Sequence, residues 1–347
     1  GPETSTLRIK LLSNGQHKSV AVVRGHVKLS SQRARLATYP LEVSGNNYLI
    51  GVVSVPAFYT DSQAAARGDK NYLNVAKDVK AHLVKLETMG VDGIVIDLRN
   101  NDGGSLSLAS KLTDLFIHHG PIIQIRGSDG RISRHNRSRN DASYHGPLAV
   151  LINRHSAGSS EIFAAAIQDY QRGLILGSAS YGLGTVQTYQ PIGKRGKGGS
   201  VKLTVGTYYR VNGEGIQLRG VTPDIAFPNI DDHTVGESSY SNALPWDKRL
   251  SVPLKVYPRD KQHIGAVKKL HEQRAEQSPT FSLATQLAQS LKQRNDAITV
   301  TLNKNTRKQW LDASDTLDKA LKQLAPNNQD IFLDEAMRIL LDDIVTK

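Results

Sequence analysis

The sequence predicts an α/β protein in which a mostly parallel sheet is followed by a mainly helical C-terminal region. Short apolar runs alternate with segments of helical periodicity between residues 48 and 177. Buried parallel strands are typically continuous apolar runs, and crossover helices separate them along the chain. After about residue 230, apolar residues recur mainly at helical spacing, which predicts helices there.

The order of the elements follows from the same patterns. The β-branched run at 48–55 ends at Pro56, and the helical spacing of 75–89 ends at Gly90, as is typical of a helix C-terminus. Alternation at 201–211 indicates an edge or hairpin strand. Further strands are predicted at 93–98, 121–125, 148–153 and 174–177, and further helices at 106–117 and 161–170.

Three regions are expected along the chain. Residues 1–45 form a β-rich lead-in, residues 46–230 the α/β core, and residues 231–347 a mostly helical appendage. Within the appendage, helices are expected at 281–291, 310–324 and 331–344, around a short strand at 297–302.

The composition excludes several classes of site. The chain has 347 residues and no cysteine, so a disulfide framework, a thiolate metal site and a cysteine nucleophile are excluded. No apolar run approaches the roughly 18 residues of a membrane helix, which predicts no transmembrane segment. The 11 histidines are scattered, and His118-His119 has no carboxylate at ligand spacing. We therefore predict no metal site and no cofactor.

The chain carries a net charge of +12, which attracts polyanions without specificity. A basic stretch between two core strands contains Arg126, Arg131, Arg134, His135, Arg137 and Arg139. Nucleic-acid binding would require interleaved aromatic residues, which this stretch lacks. We interpret it as a solvated loop and predict no nucleic-acid partner.

Three loops of small residues follow predicted strands, at 101–104, 156–160 and 181–184. Open α/β sheets place ligand sites at the carboxyl ends of their strands. A small-residue turn into a helix presents a side chain and free N–H groups, as an acyl-transfer site requires for a nucleophile and an oxyanion. The alternative is that small residues only close tight turns.

Five segments, in this order, carry a resemblance to a known family. They are GVDGIVIDLRNN at 90–101, GPLAVLINR at 146–154, SEIFAAAIQDY at 160–170, GTVQ at 184–187 and GVTPDI at 220–225. The chain resembles the tail-specific, or C-terminal processing, serine proteases over about residues 20–230, and more loosely over the helical tail. The resemblance implies a crotonase-like core with a Ser-Lys dyad, preceded in bacterial members by a helical region and a PDZ module. Residues 1–45 would then follow a PDZ portion outside this chain.

The resemblance also assigns the site. Its nucleophile position is Gly158 and its base position is Leu183, so neither catalytic group is present. Gln187 aligns with the glutamine that supports the lysine, and Gly104 and Ser159 with the oxyanion hole. Asp102 stands where the family more often has glycine, and would repel a carboxylate. The expected peptide-binding residues are Asp102, Gly103, Gly104, Ser159 and Leu183.

These assignments predict a pseudoprotease that retains a peptide- or protein-binding scaffold. It would act as a regulatory or scaffolding partner, of an active relative or an adaptor, in a bacterial periplasm or envelope, and the oligomeric state is open. One alternative is an active endopeptidase with Ser159 as displaced nucleophile, although we expect Ser159 and Ser160 to cap the following helix. The sequence is also compatible with an active parent that was inactivated by engineering, although alanine would be the usual replacement. A further alternative is a purely structural assembly subunit.

Overall fold

The computed structural model describes residues 2–25, 32–136, 142–193, 198–231, 235–296, 302–324 and 330–346. The strands of these residues are β1 (Thr6–Ser13), β2 (Gln16–Val23), β3 (Arg35–Val43), β4 (Asn46–Ser54), β5 (Gly93–Asp97), β6 (Pro121–Gly127), β7 (Ile132–Asn136), β8 (Leu148–Ile152), β9 (Leu174–Gly177), β10 (Thr185–Pro191), β11 (Ser200–Tyr209) and β12 (Ile225–Ala226). The helices are α1 (Ser62–Ala66), α2 (Val75–Met89), α3 (Leu106–Thr113), α4 (Ser159–Asp169), α5 (Lys261–Gln277), α6 (Pro279–Asp296), α7 (Lys304–Leu324) and α8 (Ile331–Val345).

The central sheet has the strand order β12-β9-β8-β5-β4-β3. Neighbouring strands run parallel except for β3, which pairs antiparallel with β4. Strands β8 and β9 are buried throughout and β5 nearly so, as their continuous apolar sequences require. The mostly parallel sheet is therefore confirmed. Strand β3 lies within the range expected to precede the core, yet it belongs to this sheet.

A second sheet is antiparallel and has the order β10-β11-β6-β7. The predicted strand at 121–125 corresponds to β6 and lies in this sheet, not in the parallel one. Strand β11 forms a hairpin with β10, as predicted, but it also pairs with β6, so the outer strand is β10.

Part of the basic stretch is also ordered differently from the prediction. Residues Ile132–Asn136 form β7, which pairs with β6. The interpretation as a loop is wrong for these residues. Only Ile132 of the five is apolar, so the segment has no alternating pattern that would indicate a strand. Arg137 and Arg139 lie outside the described residues.

Helices cover both faces of the central sheet. On one face, α2, α3 and α4 pack in a cluster that includes Leu86, Leu112 and Phe163. On the other face, Leu340 of α8 packs against strand residues such as Val95. A Cβ on Gly93 would lie 3.0 Å from Cδ2 of Leu340, so glycine permits the close approach of α8 to β5. The C-terminal helix is therefore part of the core.

The C-terminal region is helical, as predicted, and it also contains α5, which the apolar spacing did not indicate. The strand expected at 297–302 falls, except for Leu302, outside the described residues. At the other end of the chain, β1 and β2 form a separate exposed hairpin. Within the described ranges, none of the helices has the length and apolarity needed to cross a membrane.

Candidate functional site

The loops that follow β5, β8 and β9 meet at the carboxyl edge of the central sheet. The Ala157 N–H donates to the Asn101 carbonyl at 2.9 Å, and the Tyr181 N–H donates to the Ser156 carbonyl at 3.0 Å. Parallel neighbours end at the same edge of a sheet, which is why segments far apart in sequence converge here. The structure thus brings together the three loops predicted at 101–104, 156–160 and 181–184.

Gly158 and Leu183 face each other at this junction. A Cβ built on Gly158 would lie 3.7 Å from Cδ2 of Leu183, with no closer neighbour, so a side chain at position 158 has room. Gly158 has φ 55° and ψ −109°, a conformation that strains other residues by about 1–3 kcal/mol. The two positions that the resemblance assigns to nucleophile and base are therefore adjacent, without a hydroxyl or an amine.

Glu161, which the sequence did not identify as a site residue, joins these loops. One carboxylate oxygen accepts the N–H groups of Gly158 at 2.9 Å and Leu183 at 3.0 Å. The other accepts the Ser180 hydroxyl at 2.6 Å and the Gly182 N–H at 2.7 Å. Complete burial raises the pKa of Glu161 to about 7, although these four donors favour the ionised form.

The expected capping of α4 by Ser159 and Ser160 is wrong. The N-cap residue is Gly158, and Glu161 in the first turn accepts its N–H. The Ser160 hydroxyl instead donates to the Asn101 carbonyl at 2.9 Å and is fully buried. Ser160 therefore supports the junction of the loops. The signal that sequence analysis could have used is the acidic residue three positions after a helix N-cap.

Gly103 brings a backbone segment against the start of α4. A Cβ on Gly103 would lie 2.7 Å from the Ala157 carbonyl oxygen and 3.0 Å from the Ser159 nitrogen. Ser159 is the first residue of α4, so its N–H has no acceptor within the helix. Gly104 and Ser159, the positions expected to form an oxyanion hole, line the same cavity.

Two cavities flank the junction and together form what we call the cleft. Their volumes are about 610 and 750 Å³. Both are lined by Asp102, Leu183, Thr185, Gln187 and Lys202. The smaller cavity also has the apolar side chains of Leu106, Ile162, Val186 and Tyr208. The larger one has polar neighbours that include Asn100, His155, Tyr181, Glu237 and Tyr240.

The remaining expected residues lie around Leu183 in different environments. Asp102 is exposed beside the loops, and Gln187 is exposed on β10 at a bulge in its pairing with β11. Tyr208 of β11 is buried and donates its hydroxyl to the Leu183 carbonyl. Burial raises the pKa of Tyr208 well above its ordinary value.

Within the described residues, no group of three His, Cys, Asp or Glu side chains is placed to hold a metal ion.

A cleft at the carboxyl edge of a parallel sheet, beside a helix N-terminus with free N–H groups, is the arrangement of an acyl-transfer hydrolase. The chain belongs to Peptidase family S41, whose model matches residues 49–227. A second model, described as the C-terminal domain of tail specific protease, matches residues 230–328. The family predicted from the five sequence segments is therefore confirmed.

Two curated relatives agree with this assignment. The chain is 35% identical to the tail-specific protease of Haemophilus influenzae over 366 aligned residues, covering 98% of this chain and 50% of that protein. It is 34% identical to the carboxy-terminal-processing protease of Bartonella bacilliformis, covering 63% of this chain and 46% of that protein. The solved photosystem II D1 C-terminal processing protease superposes with a TM-score of 0.48 at 25% identity, covering 65% of this chain and 56% of that chain. The chain spans about half the length of these two curated relatives.

Proposed function

We propose that the chain is a pseudoprotease of this family, which has lost its Ser-Lys dyad and binds extended peptide segments in the cleft. The observation that carries the proposal is that Gly158 and Leu183, at the positions of nucleophile and base, lie next to each other. Glycine has no atom with which to attack a carbonyl, and leucine has no lone pair with which to accept a proton. Losing the nucleophile of such a pair typically costs on the order of a million-fold in turnover.

Features that bind a peptide do not depend on the dyad. Strand β10 is an outer strand of the second sheet, and its Gln187 and Tyr189 line the smaller cavity. An outer strand accepts an extended peptide by main-chain hydrogen bonding, and adjacent apolar pockets then select its side chains. Leu183 makes the centre of the cleft apolar, while the exposed carboxylate of Asp102 disfavours a peptide's free C-terminus.

The biological role follows from binding without cleavage. The chain would act as a regulatory or scaffolding partner, presenting a bound segment to an active relative or to an adaptor. We propose a bacterial periplasm or cell envelope as the location of this role, as the family resemblance implies; the similarity to bacterial relatives supports a bacterial protein. An assembly subunit with an unused cleft is the competing structural role, and peptide titration separates the two.

A second candidate is an active endopeptidase with Ser159 as the nucleophile. The observation that favours it is that Ser159 and Lys202 line the same cavity. Against it, Ser159 is only 3% exposed, and a shift of one residue along a helix turns the side chain away from the position of residue 158.

We expect no proteolysis by the chain as it stands. A disordered substrate such as casein should stay uncut during prolonged incubation, because the cleft has neither a nucleophile nor a base in the paired positions. Gel electrophoresis followed by mass spectrometry measures this directly. Cleavage that Ser159→Ala abolishes would overturn the pseudoprotease proposal in favour of the second candidate.

We expect saturable peptide binding at the cleft. Fluorescence anisotropy with a library of extended peptides measures this, and peptides that contain an apolar residue should bind. Peptides with an amidated C-terminus should bind at least as tightly as the same peptides with a free C-terminal carboxylate. Leu183→Asp should weaken binding by about tenfold or more, because it places a charge in the apolar centre of the cleft. Leu250→Asp, at a leucine that is 90% exposed, is the matched control. Absence of saturable binding, or equal effects of the two variants, would favour the assembly subunit.

A further inference from the structure

A separate cavity of about 760 Å³ lies at the opposite edge of the central sheet from the cleft. Pro147 and Leu148, at the start of β8, line its floor, and the segment after α4 lines one side. The other side consists of residues from the start of α5 and the end of α8. We call this cavity the rear pocket and define it by Arg172, Arg259, Tyr257, His145 and His263. It therefore joins the sheet to the C-terminal helices.

Arg172 is a buried cation that no carboxylate neutralises among the described residues. Its Nε donates to the Phe116 carbonyl at 2.9 Å, and its Nη2 donates to the carbonyls of Tyr144 at 2.9 Å and Gly146 at 3.0 Å. Its Nη1 makes no hydrogen bond to the described residues. The residue is 8% exposed and lines the rear pocket. Burying a guanidinium without a counter-charge is costly, and an anion would offset that cost.

Arg259 brings a second guanidinium to the same cavity. Its Nη2 donates to Asp343 at 2.6 Å, whereas its Nε is buried without a hydrogen-bond partner among the described residues. His263 also contacts Asp343, at 3.0 Å, so this carboxylate is already shared by two partners. Burial lowers the pKa of Arg172, and the nearby charge of Arg259 lowers it further, as expected for two like charges around an open space.

The other carboxylate of the rear pocket is Asp260, one oxygen of which accepts the Gln262 N–H at 2.9 Å as the N-cap of α5. Two guanidinium nitrogens at this cavity, Nη1 of Arg172 and Nε of Arg259, thus have no hydrogen-bond partner among the described residues. Guanidinium groups bind carboxylates and phosphates through paired N–H donors. The volume also lies in the range of small-molecule pockets, roughly 300–1,000 Å³.

We propose that the rear pocket binds an anionic ligand, a carboxylate or a phosphate, whose charged end lies between Arg172 and Arg259. Because the cavity is lined by both β8 and the C-terminal helices, such a ligand fastens these helices to the sheet. The site is independent of the cleft and of the proposed peptide binding.

The test is isothermal titration calorimetry of the full chain with inorganic phosphate and, separately, with citrate, at constant ionic strength. Arg172 is left unchanged, because its three carbonyl contacts make its substitution a threat to folding. Ala266 is exposed on α5 at the rim of the rear pocket, so Ala266→Glu adds a negative charge there without removing any contact. We expect saturable binding of one or both anions, and a tenfold or greater loss of affinity in Ala266→Glu. The tighter of the two anions identifies the ligand class.

Two controls separate the site from general attraction to a basic protein. Ala266→Gln has the size of the glutamate variant without its charge and should bind like the parent. Lys268→Gln changes the net charge by the same amount at an exposed position of the same helix, and should also bind like the parent. Absence of saturable binding of both anions overturns the proposal, as does equal binding by the glutamate and glutamine variants. Equal weakening by Ala266→Glu and Lys268→Gln overturns it too, because it would reflect net charge alone.

Discussion

Replacing Gly158 by serine together with Leu183 by lysine is expected to restore cleavage of casein, at least about 100-fold above the background of the parent. The Cβ of residue 158 would lie within contact distance of the side chain at 183, so a hydroxyl and an amine placed there can meet. Glu161 already fixes both backbones by accepting the N–H groups of 158 and 183. A buried lysine with a lowered pKa is the base that such a hydroxyl requires.

The restored activity should remain well below that of an intact member of the family. Asp102 lies beside the expected oxyanion position, and the pocket at 183 is packed around leucine rather than lysine. Serine at φ 55° should also lower the unfolding free energy by about 1–3 kcal/mol. Casein cleavage and a thermal melt of each variant measure these two effects separately.

The matched control is Gly158→Ala with Leu183→Lys, which carries the same backbone strain and the same amine but no hydroxyl. It should be inactive, as should each single variant. A folded serine-lysine variant that does not cut casein would contradict this expectation, and would mean that the cleft has diverged beyond the two dyad positions. Adding Asp102→Gly then tests whether the oxyanion region is responsible.

The sequence predicted the central sheet because its strands have a local signal. Strands β5 and β8 are continuous apolar runs, since both of their faces are covered. In the second sheet only β6 and β11 gave such a signal, because β7 and β10 are short, polar or largely exposed. Helix α5 was not predicted for a related reason: it is rich in charged residues and buries little beyond Val267 and His271.

The candidate site was likewise predictable only in part. The small-residue loops and their convergence follow from the strand order, and the dyad positions follow from the resemblance. The position of Glu161 indicates at most a capping residue for α4, and its role in joining the loops could not be assigned from sequence, because its partners near 180–183 meet it only in the folded chain. Tyr208 likewise matched the pattern of a packed strand residue, and only its contact with the Leu183 carbonyl places it at the cleft.

Replacing Glu161 by glutamine is expected to change both the stability of the protein and its pH dependence. Burial raises the pKa of Glu161 from an ordinary 4.5 to about 7, which is equivalent to about 3 kcal/mol. The folded protein therefore holds this proton more tightly than the unfolded chain. The contribution of this proton to the unfolding free energy is fully present below about pH 4.5 and is lost as the pH rises through 7.

Urea denaturation of parent and variant at several pH values between 4.5 and 8 tests this. The parent's unfolding free energy, relative to that of Glu161→Gln, should fall by about 3 kcal/mol over this range. Other titrating groups cancel in the difference, provided that they are unchanged by the substitution. Glu87→Gln, an exposed change of the same size on α2, is the control and should show no such trend.

The same variant should also loosen the cleft. The amide of glutamine presents one acceptor oxygen and one donor NH₂, so at least one of the N–H groups that Glu161 now accepts would face another donor. Peptide affinity should therefore decrease by about tenfold in Glu161→Gln and stay unchanged in Glu87→Gln. The alternative result is that Glu161→Gln binds peptide as tightly as the parent and that its unfolding free energy has the same pH dependence as the parent's. In that case the carboxylate does not hold the loops of 158 and 183 together. The geometry at Gly158 and Leu183 would then depend on the packing of the loops alone.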